Sequence, residues 1–245
     1  MRMQNLEFRI QNSGVRIQEW GVRIKDGLPF YSGFWLLTSL FFFIAGCGSP
    51  LKQINVSSYE FYRSPQVNKI DGNRIGFLTT ALSRMSSLGE YKVTISDIIE
   101  KAFQKEKPKI NIISSRETIN SINTSELTDI YSKMLDYYDT TGILKKDYLW
   151  KIGDALKVRY IIQPKLLSFA ESVSSRFSFL GLAIVSTRET TVKISLQLWD
   201  TVTGNVIWEG SGQATVAIES MRAKPVTFEE VAEAASFSVV KKFPF

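Results

Sequence analysis

Apolar and polar positions alternate most cleanly between residues 192 and 219. Val192, Ile194, Leu196 and Leu198 alternate with Lys193, Ser195, Gln197 and Trp199, the period-two pattern of a half-buried strand. Beyond Asp200–Gly204, Val206, Trp208, Ala214, Val216 and Ile218 fall on one face. Asn205, Glu209, Ser211, Gln213 and Glu219 fall on the other. The pattern predicts an antiparallel hairpin with one face on a core and one turned to water or a partner. Asp200 and Gly204 suit its five-residue turn, which needs side-chain-to-backbone bonding and a positive φ.

Upstream the period shifts between two and 3.6. Arg74–Thr80 is a short apolar run after Asp71-Gly72-Asn73 and predicts a first strand. Ser96 is placed to cap a helix carrying Ile99, Ala102 and Phe103 on one face, closed by Pro108. Lys109–Ser114 predicts a strand with Ile110 and Ile112 opposite Asn111 and Ile113. Helical spacing then runs from Ser115 to Ile122, through Leu127, Ile130, Tyr131, Met134, Leu135 and Tyr138 up to Gly142, and through Leu144, Tyr148, Ile152, Ala155 and Leu156. Val158–Phe169 returns to a strand, with Pro164 marking an edge position or bulge. Thr227 and Glu230 form a capping box ahead of Val231, Ala235 and Val239. The expected order is β-α-β-α-α-β-β-β-α, a single α/β domain spanning 74–245 with helices packed on a mixed β-sheet.

The N-terminal part has a different logic. Phe34–Ala45 carries no charge and follows Arg23 and Lys25. Its length falls well short of the ~20 residues of a spanning helix but fits the hydrophobic region of a signal peptide. Ile44-Ala45-Gly46-Cys47 follows at once and looks like the lipobox of bacterial lipoproteins. The small side chains of Ala45 and Gly46 let extended backbone enter a peptidase, and the Cys47 thiol takes a diacylglycerol. The bland alternative is a buried helix with an incidental cysteine, which leaves the agreement of charge, length, small residues and thiol unexplained. Cleavage is therefore expected between Gly46 and Cys47, making residues 1–46 a signal peptide. Residues 8–27 repeat FRIQNSG, VRIQEWG and VRIKDG, which suggests translated upstream DNA and makes 1–21 a doubtful extension, with the true start nearer Val22. Residues 47–73 read as the lipidated cysteine and a tether, in which Tyr59, Phe61 and Tyr62 are candidates to pin it to the domain.

Composition narrows the chemistry. The chain of 245 residues has no His and one Cys, which removes the commonest general base and metal ligand and any internal disulfide. Net charge is +6; residues 1–46 hold five basic and three acidic groups, leaving 25 and 21 beyond them. That mild, scattered excess gives no reason to expect nucleic acid. Asp97, Glu100, Asp129, Asp136 and Asp139 fall on helical faces without a supporting constellation, and neither a phosphate loop nor a nucleophile elbow is present. No catalytic residue, metal site or cofactor is expected, apart from the covalent diacylglycerol and N-acyl lipid on Cys47.

The segment IGDALKVRYIIQPKL followed by VKISLQLWDTVTGNVIWEGSGQ resembles the curli-secretion lipoprotein superfamily. Its relatives include lipoprotein activators of penicillin-binding proteins and the N-terminal domain of the Tol-system β-propeller protein. The matching residues are Ala155, Leu156, Tyr160 and Ile161, then Asp200, Thr203 and Gly204. Gln163-Pro164 stands where those families lead toward a small residue such as Gly. The resemblance spans about residues 74–240 and implies a lipid-anchored periplasmic domain that binds or assembles another envelope component.

Two places are candidate contacts. The connection Ser172–Ser186 contains Phe177, Phe179, Leu180, Leu182 and Ile184. It reads as a partner-binding or bilayer-touching loop or as a plain hairpin; a single short run is too little for a pore subunit. Trp199, an aromatic on a polar strand face, reads either as a partner anchor or as cover for a helix end; Trp208 reads as core. The expected protein is non-enzymatic and membrane-anchored through lipid, with an envelope protein partner and oligomerisation open. Gly48 and Ser49 after the cysteine, with no Asp, favour the outer membrane facing the periplasm. The alternative is a ring-forming subunit of an outer-membrane secretion channel, and an envelope hydrolase is a weaker third.

Overall fold

The computed structural model describes residues 51–69, 74–82, 89–178, 183–220 and 226–244, with backbone alone at 68, 69, 176–178, 183–185 and 220. Strand β1 (Leu51–Arg63) leads through a 3-10 turn (Pro65–Lys69) to β2 (Ile75–Phe77) and β3 (Ala81–Leu82). Helix α1 (Tyr91–Glu106), β4 (Ile112–Ile113), and helices α2 (Ser115–Thr124), α3 (Thr128–Thr141) and α4 (Lys146–Leu156) follow. The long strands β5 (Tyr160–Ser178), β6 (Ala183–Asp200) and β7 (Val206–Ser220) precede the closing helix α5 (Phe228–Lys242). The sheet runs β1-β7-β6-β5-β2-β4, with β3 also on β5. The hairpin strands pair antiparallel, and β2, β3 and β4 join in parallel, so the sheet is mixed.

The α/β class holds, with three amendments to the expected order, one of them the short strand β3 after β2. Three helices, not two, separate β4 from β5. The stretch read as tether also contributes the thirteen-residue edge strand β1, paired with β7 from Leu51↔Glu219 to Arg63↔Trp208. Its apolar positions lack a clean alternation because an edge strand is only half covered; Leu51, Ile54, Val56, Tyr59, Phe61 and Tyr62 all remain exposed. A bulge between Glu60 and Tyr62 breaks the period further.

Each face of the sheet carries its own core. On one face Val192, Ile194, Leu196, Leu198, Trp208, Ala214 and Val216 pack against Ile95, Ile99, Ala102 and Phe103 of α1 and Val231, Ala235 and Val239 of α5. This is the apolar face that the alternation predicts. On the other, Ile161 and Trp199 pack with Ile122, Met134, Tyr138, Leu149, Ile152 and Leu156 from α2, α3 and α4. The α2–α4 layer faces β2, β5 and the end of β6, while Lys193, Gln197, Gln213 and Thr215 stay half-exposed.

Local chemistry explains the helix boundaries. Ser114 caps α2 in a capping box with Glu117, and Gly142 ends α3 in the left-handed region at φ 73°. Thr227 accepts the Glu230 N–H at the start of α5, while the Glu230 carboxylate pairs with Lys52 of β1. Ser96 is no cap: α1 begins five residues earlier at Tyr91. The buried Ser96 hydroxyl donates to the Lys92 carbonyl and pairs with Thr80 Oγ1 at 2.8 Å. Pro164 is no edge residue, because β5 is an inner strand. It sits where rungs to β2 have ended at Ile162 and rungs to β3 begin at Lys165, so its missing N–H breaks neither ladder.

Candidate binding surfaces

The β6–β7 turn is the most tightly specified feature. Asp200 Oδ1 accepts the N–H groups of Val202 at 2.9 Å and Thr203 at 3.2 Å. Its Oδ2 accepts Arg159 Nη2 at 3.0 Å and Nε at 3.2 Å. The Gly204 N–H donates to the Asp200 carbonyl at 2.8 Å, and Gly204 adopts φ 75°. A Cβ there would also meet Lys146 Cβ at 2.9 Å. Thr201 sits against α4 so closely that a Cβ on Gly153 would come within 2.7 Å of it. Asp200 is 1% exposed and Thr201 3%. The Asp-x-x-Thr-Gly turn therefore clamps that helix, α4, to the hairpin as a structural joint.

Trp199 is 4% exposed and belongs to the α2–α4 core. It covers the helix layer, so reading it as a partner anchor is corrected. Alternation along β6 sets Trp199 opposite Leu198, and helices α2–α4 cover that end of the face. On β7 a bulge intervenes, since Leu198 pairs with Trp208 and Trp199 with Val206, leaving Ile207 as the extra residue. Val206 consequently joins the Trp199 side and Ile207 the main core, where the alternation alone would place Val206 beside Trp208. Trp208 is fully buried, as expected, and its Nε1 donates to Glu60 Oε2 at 2.9 Å.

The Ser172–Ser186 connection is the end of a long antiparallel arm, paired from Ser172↔Glu189 to Ser178↔Ala183. Phe177 lies on it opposite Ile184, with only its backbone described. Phe179, Leu180 and Leu182 lie outside the described residues, as do Gly46, Cys47 and the whole of 1–46. Residues 171–175 are exposed, Val173 among them at 63%.

Register ties this arm to the start of β1. Leu51 pairs with Glu219, Glu219 with Thr187, and Thr187 with Ser174. One rung across the sheet thus joins the beginning of β1 to the arm. The arm continues past that rung to Ser178 and Ala183, roughly 13 Å farther at the rise of a strand.

The helical acids carry structural duties. Asp97 accepts Arg116 Nη2 at 2.8 Å, and Glu100 accepts the Ser115 N–H at 2.7 Å beside the start of α2. Burial pushes the Asp139 carboxyl up and, more strongly, the Tyr138 hydroxyl; Tyr138 donates to Gln197 Oε1 at 2.9 Å. Among the described residues no three His, Cys, Asp or Glu side chains converge as metal ligands, and no helix is long and apolar enough to cross a membrane.

No family model and no curated protein matches the sequence. Several solved structures resemble the chain. The PelC dodecamer from Paraburkholderia phytofirmans shares 9% identity over 79% of this chain and 94% of its own, with TM-score 0.34. Lipoprotein GNA1162 from Neisseria meningitidis shares 12% over 62% and 87%, with TM-score 0.38. The LpoB C-terminal domain from Escherichia coli shares 13% over 61% and 92%, with TM-score 0.36.

Proposed function

We propose that this chain is a non-enzymatic, lipid-anchored protein of the bacterial envelope that binds or assembles another envelope component. Its address would be the outer membrane, facing the periplasm, with the anchor on Cys47. The observation that carries this reading is the shared rung from Leu51 to the arm. Cys47 is four residues before Leu51, a reach of at most about 14 Å, similar to the arm's extension past the rung. A lipid on Cys47 would then be tethered to the sheet end from which the arm extends, which would suit the apolar sequence around Phe177, Phe179, Leu180 and Leu182 for contact with a bilayer or a membrane-bound partner. Two or three acyl chains would hold the protein firmly, where one would not.

The half-exposed polar strip of Lys193, Gln197, Gln213 and Thr215, continued by Gln53, Asn55 and Tyr59 on β1, is the surface offered to a partner. A photo-crosslinking residue at Gln213 or Tyr59 in living cells should give a discrete adduct with a second envelope protein. Absence of adducts at both positions, against a positive control, would count against the binding role.

A ring-forming secretion subunit is the second reading. It is favoured by one feature: β1 and β4 end the sheet on opposite sides, so copies could pair head to tail. Adducts only between copies, with light scattering showing eight or more subunits, would select it.

A further inference from the structure

The far end of β1 carries a different chemistry. Arg63 from β1, Lys107 at the end of α1, and Lys241 and Lys242 from the last turn of α5 line an open hollow of about 520 Å³ with Glu60 and Phe243. Among the described lining residues the acid is Glu60, and it is already engaged: it accepts Arg63 Nη2 at 2.6 Å and Nε at 2.9 Å, and the Trp208 indole N–H besides. Those bonds hold its carboxyl below the usual carboxylate range despite partial burial. Three ammonium groups remain. Lys107 Nζ is fixed by donating to the Phe243 carbonyl at 2.8 Å, which leaves it further N–H groups to give. Burial lowers the Lys107 ammonium's pKa, a shift opposed by Glu106 and reinforced by the charge of Arg63.

Cations near the ends of α1 and α5 offset the helix dipoles. That role does not account for their convergence, with Arg63, on a single hollow. An anion seated among them would relieve the mutual repulsion. The Arg63 fork is taken bidentately by Glu60, so planar carboxylate recognition is already used up. Lysines act as point charges and suit a tetrahedral anion with several oxygens.

We infer that the hollow between the ends of β1, α1 and α5 is a binding site for a phosphate ester, held by Lys107, Lys241 and Lys242. The site stands whether or not Cys47 is lipidated. Arg63 ends β1 and Leu51 begins it, so the hollow lies roughly 40 Å from the sheet end nearest Cys47. A phosphorylated polymer of the envelope and the headgroup of a facing membrane share the required chemistry.

Pyrophosphate titrated into the full-length protein in uncharged detergent, at low salt, is the direct test. One site is expected by calorimetry, weakened roughly ten-fold in Lys107→Gln and again in Lys242→Gln. Lys151→Gln on exposed α4 should leave affinity unchanged, and Glu60→Gln should raise it. Parallel titrations with a glycerol-phosphate oligomer and with phosphatidylglycerol vesicles identify the source by which one is lost in Lys107→Gln. Absence of heat at 10 mM-scale pyrophosphate, or equal affinity in the lysine variants and Lys151→Gln, would overturn the site; Lys242→Gln keeps the test valid if Lys107→Gln unfolds.

Discussion

At the scale of single residues, Asp200 does the most. Its two oxygens serve the turn N–H groups and Arg159 separately, while its backbone closes the loop with Asn205 and Gly204. Asp200→Ala leaves turn donors without acceptors in a buried site and should cost about 2–4 kcal/mol of unfolding free energy. Asp200→Asn keeps one acceptor oxygen and should cost less, on the order of 1 kcal/mol. Urea denaturation of both variants measures the difference; equal losses would mean that the Arg159 pair, not the turn, dominates. Residue types at this turn were legible because Asp and Gly have conformational jobs that no other residue does as well. The burial of Trp199 was not, since alternation sets it opposite Leu198 without telling that α2–α4 cover that end of the face. Nor was the side of Val206, which depends on a one-residue bulge at Ile207 that leaves no mark on composition.

At the scale of elements, legibility follows burial. The hairpin and the stripes of α3 and α5 have one face against a core, so hydrophobic period and structure agree. Strand β1 evades that logic because both of its faces stay partly wet; its place comes from backbone pairing with β7, which any sequence can supply. The start of α1 was missed for a related reason: Ser96 has the chemistry of a cap but uses its hydroxyl inside the helix, on Lys92 and Thr80. Because β1 is hydrogen-bonded along its length, amides within Gln53–Ser58 should show slow-exchanging members in hydrogen–deuterium exchange. A flexible tether would exchange throughout within seconds, and that result would remove β1 from the sheet.

At the scale of the whole molecule, the sheet separates two chemistries. One end gathers the start of β1 and the arm bearing Phe177; the other gathers Arg63, Lys107, Lys241 and Lys242 around a hollow. Such polarity suits a protein fixed at one end and presenting its polar strip and basic end outward. Everything in that orientation depends on Cys47, four residues before Leu51. The most direct measurement is the intact mass, with tandem sequencing, of the mature protein extracted from membranes. The predicted result is a chain beginning at Cys47 that carries a diacylglycerol thioether and an N-acyl group. A mature chain that begins elsewhere, or that begins at Cys47 with a free thiol, would contradict the anchor and the orientation built on it.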